Sequence, residues 1–356
     1  MITSVLPTVF DRALRAIAIS VPVVVTMLMV APASLQAASQ HEPASVLVFP
    51  WFESADARDT ILSVTNTNLD RNPCAGSEFR VGDVLVRYIY FDGDRSEIPE
   101  FSRFELLTPG DTLSVLTSRH DPSHERGFVI VMAIDPDDWF LPISYDHLVG
   151  SARIVDRVRD GVWEYTPYAF QAIPETADEC APAIADVDGD GAVDFDGIEY
   201  EKFPNRLVLD SFFEESGRAT NQIAFMTTGD TALSAEVDLL FWNNRGQKFS
   251  RSFRFTRSWS GRLSDISVIA EHLAGDTQEF EAKQLGWIEI RGTRLVDGAG
   301  NPVHDRDGGV AMAPVLAVFA QFIDGVPISG GTALHADGEL DGLELPRGDG
   351  DLQDNR

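Results

Sequence analysis

The chain has 356 residues, of which 44% are hydrophobic and 10% aromatic. This is ample for a buried core and excludes a globally disordered protein, and the length favours two domains over one. The 56 acidic residues outnumber the 28 basic ones and leave a net charge of −28. Phosphate binding needs clustered Lys and Arg, so this charge argues against nucleic acid or an anionic membrane surface as the main partner.

The N-terminus is typical of a secretory signal peptide that runs from Met1 to Ala38. Arg12 and Arg15 supply the positive start, and an apolar run over 16–31 and several small residues follow. That run is short for a spanning helix, which needs about 20 residues. We therefore expect cleavage, no membrane span in the mature chain, and a secreted, periplasmic or cell-surface protein. An uncleaved membrane anchor is the alternative.

After the signal, short apolar runs alternate with turn-forming residues, which indicates β-strands. The runs begin at Val46, Thr60, Val84, Phe101, Leu113 and Phe128. Strands of five to eight residues with turn signals every 8–15 residues are typical of a β-sandwich. The sequence therefore predicts a first β-sandwich domain over 39–173.

The chain contains two cysteines, Cys74 and Cys180, each in a segment that reads as a loop. An exported protein meets an oxidising compartment, which permits a disulfide bond. We expect the two to be bonded, and two unpaired thiols are the alternative. Neither cysteine has a nearby histidine in sequence, so a catalytic thiol is not expected.

An acidic linker over 174–201, with ten acids and no base, carries the strongest chemical motif of the chain. Carboxylates at alternate positions followed by Gly189 match the first half of a calcium loop, in which a tight turn brings oxygen ligands onto one hard cation. The bidentate acid expected at position 12 is missing, because Gly197 stands there. We predict a structural calcium ion held by Asp186, Asp188, Asp190, Ala192 (through its carbonyl), Asp194 and Asp196. A solvated acidic linker is the alternative.

The second half repeats the pattern of the first over five segments in the same order, for example Gly127-Phe128 against Gly286-Trp287. This predicts a second sandwich over 202–340 and an internal duplication. Ser264 to Leu273 has helical periodicity, with Gly275 beyond its end. An acidic tail over 341–356 follows. The predicted fold class is therefore mostly β: two tandem Ig-like β-sandwiches related by duplication, with one short helix in the second.

The segment Val48-Phe49-Pro50-Trp51-Phe52, the run over 59–68 (DTILSVTNTN) and the run over 107–113 (LTPGDTL) resemble segments of a group of secreted or surface bacterial proteins. The resemblance covers about the first 170 residues and implies a secreted β-rich architecture. It implies no activity, cofactor or catalytic residue. Separately, the Asp loop is similar to the calcium loops of dockerin and thrombospondin-type modules.

The remaining candidate residues carry weaker signals. His120 and His124 lie in a turn-like segment that lacks the His-Glu-x-x-His spacing of a metalloprotease, and we expect a solvated loop there. The pairs Trp51-Phe52 and Trp139-Phe140 are candidates for stacking against sugars if they are exposed, although core positions are the default for aromatics.

The sequence contains no nucleophile elbow, phosphate-binding glycine loop or dinucleotide fingerprint. We therefore expect a secreted, non-catalytic structural or adhesion-type protein with a structural calcium loop and a surface glycan or a protein as possible partner. A secreted carbohydrate-binding protein is the first alternative. A hydrolase whose site is assembled from dispersed carboxylates is the second.

Overall fold

The computed structural model describes residues 42–55, 57–93, 100–121, 123–189, 193–195, 197–213, 218–228, 232–243, 248–266, 285–304, 308–332, 334–335 and 344–345. All of them belong to one compact unit. The predicted signal peptide, Met1 to Ala38, lies outside the described residues. Within the described part of the chain, no helix has the length and apolar composition needed to cross a membrane.

The first half of the chain supplies two antiparallel sheets. Sheet I has the order β4-β3-β6-β1-β9, and sheet II has the order β5-β2-β7-β8. The strands are β1 (Val46–Glu53), β2 (Arg58–Asn66), β3 (Val84–Asp92), β4 (Glu100–Leu107), β5 (Thr112–Leu116), β6 (Arg126–Ile134), β7 (Leu148–Asp156), β8 (Gly161–Tyr165) and β9 (Tyr168–Phe170), with a one-turn helix α1 (Thr117–His120) after β5.

The second half supplies sheet III, of order β14-β13-β16-β11-β19, and sheet IV, of order β15-β12-β17-β18. A two-stranded ribbon pairs β10 (Val193–Asp194) with β20 (Glu344–Leu345). The other strands are β11 (Arg206–Phe213), β12 (Ala219–Met226), β13 (Ser234–Asn243), β14 (Lys248–Phe255), β15 (Ser258–Arg262), β16 (Leu285–Val296), β17 (Leu316–Ile323), β18 (Val326–Thr332) and β19 (Leu334–His335).

The strand orders of the two halves correspond. Adding ten to each strand number of sheet I gives sheet III, and the same operation on sheet II gives sheet IV. The pairing of β1 with β6 shifts register between Phe49 and Phe52, and the pairing of β11 with β16 shifts at the equivalent place, between Leu209 and Phe212.

The prediction of a mostly β protein is confirmed, but the sheets do not form two Ig-like sandwiches side by side. The four sheets lie in a propeller-like ring. Val46 and Val48 of β1 pack into one hydrophobic cluster with residues of sheets III and IV, while Leu47 and Phe49 pack into another with sheet II. Sheet I is thus covered on both faces, whereas a sheet of a sandwich has one face in solvent.

The predicted helix from Ser264 to Leu273 is only partly described. Leu263–Asp265 forms a single 3-10 turn, in which the Asp265 carboxylate accepts a hydrogen bond from the Arg262 amide. Residues 267–273 lie outside the described residues.

Candidate metal centre and other candidate sites

The segment over 174–201 is folded onto the first half of the chain. The Ser144 amide donates to the Ala183 carbonyl, and the Ile173 amide donates to the Glu199 carbonyl, both at 2.8 Å. The segment contributes Phe195 and Tyr200 to the hydrophobic core, where both are fully buried. It therefore combines acidic side chains facing a loop with apolar side chains facing the core.

The predicted disulfide bond between Cys74 and Cys180 is confirmed. It joins residues 106 positions apart, with 5.3 Å between their Cα atoms. The bond ties the loop between β2 and β3 to the start of the acidic segment. Both cysteines of the chain form this one bond.

Three carboxylates meet at the turn that follows. One oxygen each of Asp186, Asp188 and Glu199 lies within 4.8 Å of the others, and this group could hold a metal ion. Gly189 (φ 72°) and Gly197 (φ 82°) both adopt the left-handed backbone conformation that favours glycine. These two bends bring Glu199 back against the aspartates.

Glu199 is held in place by the backbone. One of its carboxylate oxygens accepts the Val187 amide at 2.7 Å, and the other accepts the Asp194 amide at 3.0 Å. Burial raises the pKa of Glu199, and the nearby carboxylates of Asp186 and Asp188 raise it further. Ionisation of Glu199, buried and beside two aspartates, is therefore unfavourable unless a cation compensates the charge.

The structure describes only some of the six predicted calcium ligands. Asp186 and Asp188 are brought together as expected, while Asp190, Ala192 and Asp196 lie outside the described residues. The Asp194 amide donates to Glu199, and the Asp194 carbonyl accepts the Tyr200 amide at 3.1 Å. Glu199 was absent from the predicted ligand set. The sequence signal for Glu199 as a ligand is its position, two residues beyond the expected twelfth place of the loop.

The side chains of His120 and His124 are buried, so the prediction that these histidines are solvated is wrong, although Arg119, Ser123 and Glu125 beside them are exposed. The His120 Nε2 atom lies 3.3 Å from a Glu105 carboxylate oxygen, and its Nδ1 atom lies 2.7 Å from the Tyr90 hydroxyl. Because a carboxylate only accepts, Nε2 carries the proton and Nδ1 accepts from Tyr90. His124 Nδ1 and an Asp121 oxygen are 2.7 Å apart, and both of those side chains are fully buried. A substrate cannot reach the His124–Asp121 pair, so we interpret it as structural.

His120 should make folding stability depend on pH. Burial lowers the pKa of His120, and the contact with Glu105 only partly offsets this effect. The unfolded chain, with a histidine pKa of about 6.5, then binds more protons than the folded chain. Stability should therefore fall as the pH drops through about 6.5. Urea unfolding should show a smaller loss between about pH 7.5 and 5.5 in His120→Gln than in the wild type.

The matched control is His304→Gln, because His304 is exposed. It should lose stability on acidification as the wild type does. An identical pH dependence in wild type and His120→Gln would contradict the assignment.

A cavity of about 420 Å³ opens beside the disulfide bond. Its walls include Asp146, His147, Glu175 and Glu179. Burial raises the pKa of Asp146, against the opposing hydrogen bonds from Ser45 and Ala172. The hydrolase alternative requires a cleft that holds two carboxylates, and this cavity is the candidate for that cleft.

The two candidate aromatic pairs differ in their exposure to solvent. Trp51 and Phe52 lie in β1 and are buried. Trp139 and Phe140 lie in the loop after β6 and are 56% and 47% exposed, with ring centroids 5.8 and 6.4 Å from the ring of Phe104.

No protein-family model matches the chain, and no curated protein matches it. Among solved structures, the chain is similar to one described as the structure of infectious bursal disease virus Gx strain. The identity is 10%, the TM-score is 0.12, and the match covers 85% of this chain and 81% of that one. A similarity at this TM-score carries no argument about fold or function.

Proposed function

We propose that the chain is an exported, non-catalytic structural or adhesion-type β protein whose segment over 174–201 binds a structural calcium ion. The observation that carries this proposal is the convergence of Asp186, Asp188 and Glu199 on one point. Export rests on the sequence of residues 1–38. Internal duplication, also proposed, is supported by the matching strand orders of the two halves.

Calcium is the cation that suits this donor set best. It is a hard ion that takes six to eight oxygen ligands in a flexible geometry. A carboxylate has about four lone-pair sites, so Glu199 retains acceptor capacity after its two amide contacts. Asp190, the Ala192 carbonyl and Asp196 are the further proposed ligands, as the sequence spacing predicts. Without a cation the carboxylates repel one another, and the loop is less stable.

Calcium should therefore stabilise the protein. At a calcium concentration about 100 times the dissociation constant, the free energy of unfolding should rise by about 2.7 kcal/mol. Calcium should also slow proteolysis within 186–199. The measurements are calorimetric titration of the chelator-treated chain and thermal unfolding with and without calcium.

Asp188→Asn is the decisive variant, because the Asp188 side chain is exposed and its change should leave the fold intact. It should weaken binding at least about tenfold. Glu179→Gln makes the same charge change at an exposed position outside the three-carboxylate group and should bind as the wild type does. Equal binding by Asp188→Asn and Glu179→Gln, or an unchanged melt after chelation, would refute the calcium site.

Carbohydrate binding is the second candidate function, favoured by the exposed Trp139 and Phe140. Flat aromatic rings on a surface can stack against the apolar face of a sugar ring. Retention on a neutral polysaccharide column, lost in Trp139→Ala, is the measurement for this candidate.

A further inference from the structure

The face of sheet III opposite the core residues Leu207, Val237 and Ile288, here called the outer face, carries several exposed basic side chains. The Glu236 carboxylate is paired with Arg254 of β14, at 2.6 Å, and with Arg294 of β16. The three residues are register partners across adjacent strands. Both arginine side chains remain more than 40% exposed, while the Glu236 side chain is only 12% exposed. The surface that solvent meets here is therefore cationic.

The same arrangement recurs further along the strands, where Glu289 lies opposite Leu240, four residues beyond Glu236. Glu289 of β16 is 1% exposed and is paired with both Arg206 and Arg291, whose side chains are 34% and 49% exposed. Again one buried carboxylate is shared by two accessible arginines. Each group therefore presents excess positive charge to the solvent.

Two stacked tryptophans, Trp242 and Trp287, lie at one end of this face and are here called the aromatic column. Trp242 of β13 and Trp287 of β16 are register partners whose rings stack in parallel, with centroids 3.9 Å apart. The Lys248 ammonium lies 5.1 Å from the ring of Trp242. Together with Asp238, the described side chains of this face comprise five cations and three carboxylates, a net charge of +2 on a chain of −28.

The equivalent face of sheet I has a different composition and is buried. Phe91 and Phe128 occupy the positions of the two tryptophans in strand order and stack at 4.6 Å. The neighbouring Val48, Ile130 and Met132 are buried in the core. Apart from the buried Arg87, which pairs with Glu100, sheet I has apolar side chains where it is covered by the chain, whereas sheet III presents charges at the corresponding places.

We propose that the outer face of sheet III binds an anionic polysaccharide, through carboxylate or sulfate groups held by Arg206, Arg254, Arg291 and Arg294 and sugar rings held against the Trp242–Trp287 column. Guanidinium groups bind planar anionic groups through paired hydrogen bonds. Alternate residues along a strand are about 6.8 Å apart and neighbouring strands about 4.8 Å apart. A linear polymer with repeated charges can therefore contact several arginines at once.

Charge density favours a polysaccharide over a nucleic acid. Double-stranded DNA carries one charge per about 1.7 Å, and the field of a chain with net charge −28 repels so dense a polyanion. A polysaccharide with one charge on each sugar, or on alternate sugars, meets less repulsion and needs fewer cations. A face of net charge +2 therefore suits such a polysaccharide better than it suits a nucleic acid.

The test compares retention of the full-length chain on polygalacturonate, dextran sulfate and neutral dextran at about 50 and 300 mM salt. The variant is Arg291→Gln/Arg294→Gln, which leaves Glu289 paired with Arg206 and Glu236 paired with Arg254. We expect binding to polygalacturonate or dextran sulfate, or both, but not to dextran. The double variant should bind at least about tenfold more weakly and show a smaller dependence on salt.

Two controls separate this face from the rest of the surface. Arg153→Gln removes an exposed arginine of sheet II that is also ion-paired, with Glu164, and Trp139→Ala alters the other aromatic patch. Both should retain wild-type binding. The inference fails if neither anionic polymer is retained, if dextran is retained equally, or if Arg153→Gln loses as much affinity as the double variant. It also fails if single-stranded DNA alone is retained, or if light scattering shows that the face joins two copies of the chain and no polymer binds.

Discussion

Replacing Cys74 and Cys180 together by serine should lower the free energy of unfolding by up to about 4.7 kcal/mol. The bond closes a span of 106 residues, so its loss releases a large conformational entropy in the unfolded chain. Urea unfolding of the double variant should show a clearly lower midpoint than that of the oxidised wild type.

The reduced wild type provides the control for the serine substitutions themselves. Its midpoint should fall to that of the double variant, because both lack the same covalent constraint. If the double variant unfolds at the wild-type midpoint, the bond contributes nothing to stability, and the acidic segment is held by its other contacts alone.

Phe195→Ala should lower the free energy of unfolding by about 3–5 kcal/mol. Phe195 is fully buried, and its ring lies 4.6 Å from that of Phe170 and 4.8 Å from that of Phe203. Truncation leaves a cavity among aromatic rings that have few ways to collapse into it. Chemical denaturation in saturating calcium measures the effect separately from any change in ion binding.

Ile198→Ala is the matched control, only three residues away in the same segment. Ile198 is 61% exposed, so its truncation should change stability by no more than about 0.5 kcal/mol. Equal effects of the two changes would mean that the segment over 174–201 is a linker lying on the surface, which would contradict its packing into the core.

Much of the fold was predictable from the sequence. The strands follow from local patterns, and the partnership of the two cysteines follows from the expectation that the chain is exported. Strand spacing alone does not distinguish a ring of sheets from a sandwich. The strands Val46–Glu53 and Arg126–Ile134 are almost continuously apolar rather than alternating, and such runs indicate burial on both faces. That signal was present and argues against a sandwich.

The candidate metal centre was predictable in part. The alternate aspartates identify the turn, but the position of Glu199 depends on the left-handed bends at Gly189 and Gly197. Those bends determine where the chain turns back, and so which residue faces the aspartates. The spacing of residues in the sequence does not specify this. The buried histidines are a further case, because the residues that cover His120 come from β3 and β4, distant in sequence.

The two-sided burial of sheet I has a consequence for the order of folding. Val46 and Val48 share their cluster with Ile288, Leu316 and Ala317, so one face of the first sheet acquires its cover only after the chain beyond residue 317 has been made. Contacts of such long sequence separation slow folding, since their loop-closure entropy is lost before burial compensates it. Until then, a wide apolar surface stays open to aggregation. We therefore expect the two halves to fold together rather than separately, and a chaperone that protects the first half would act until the second half packs against it.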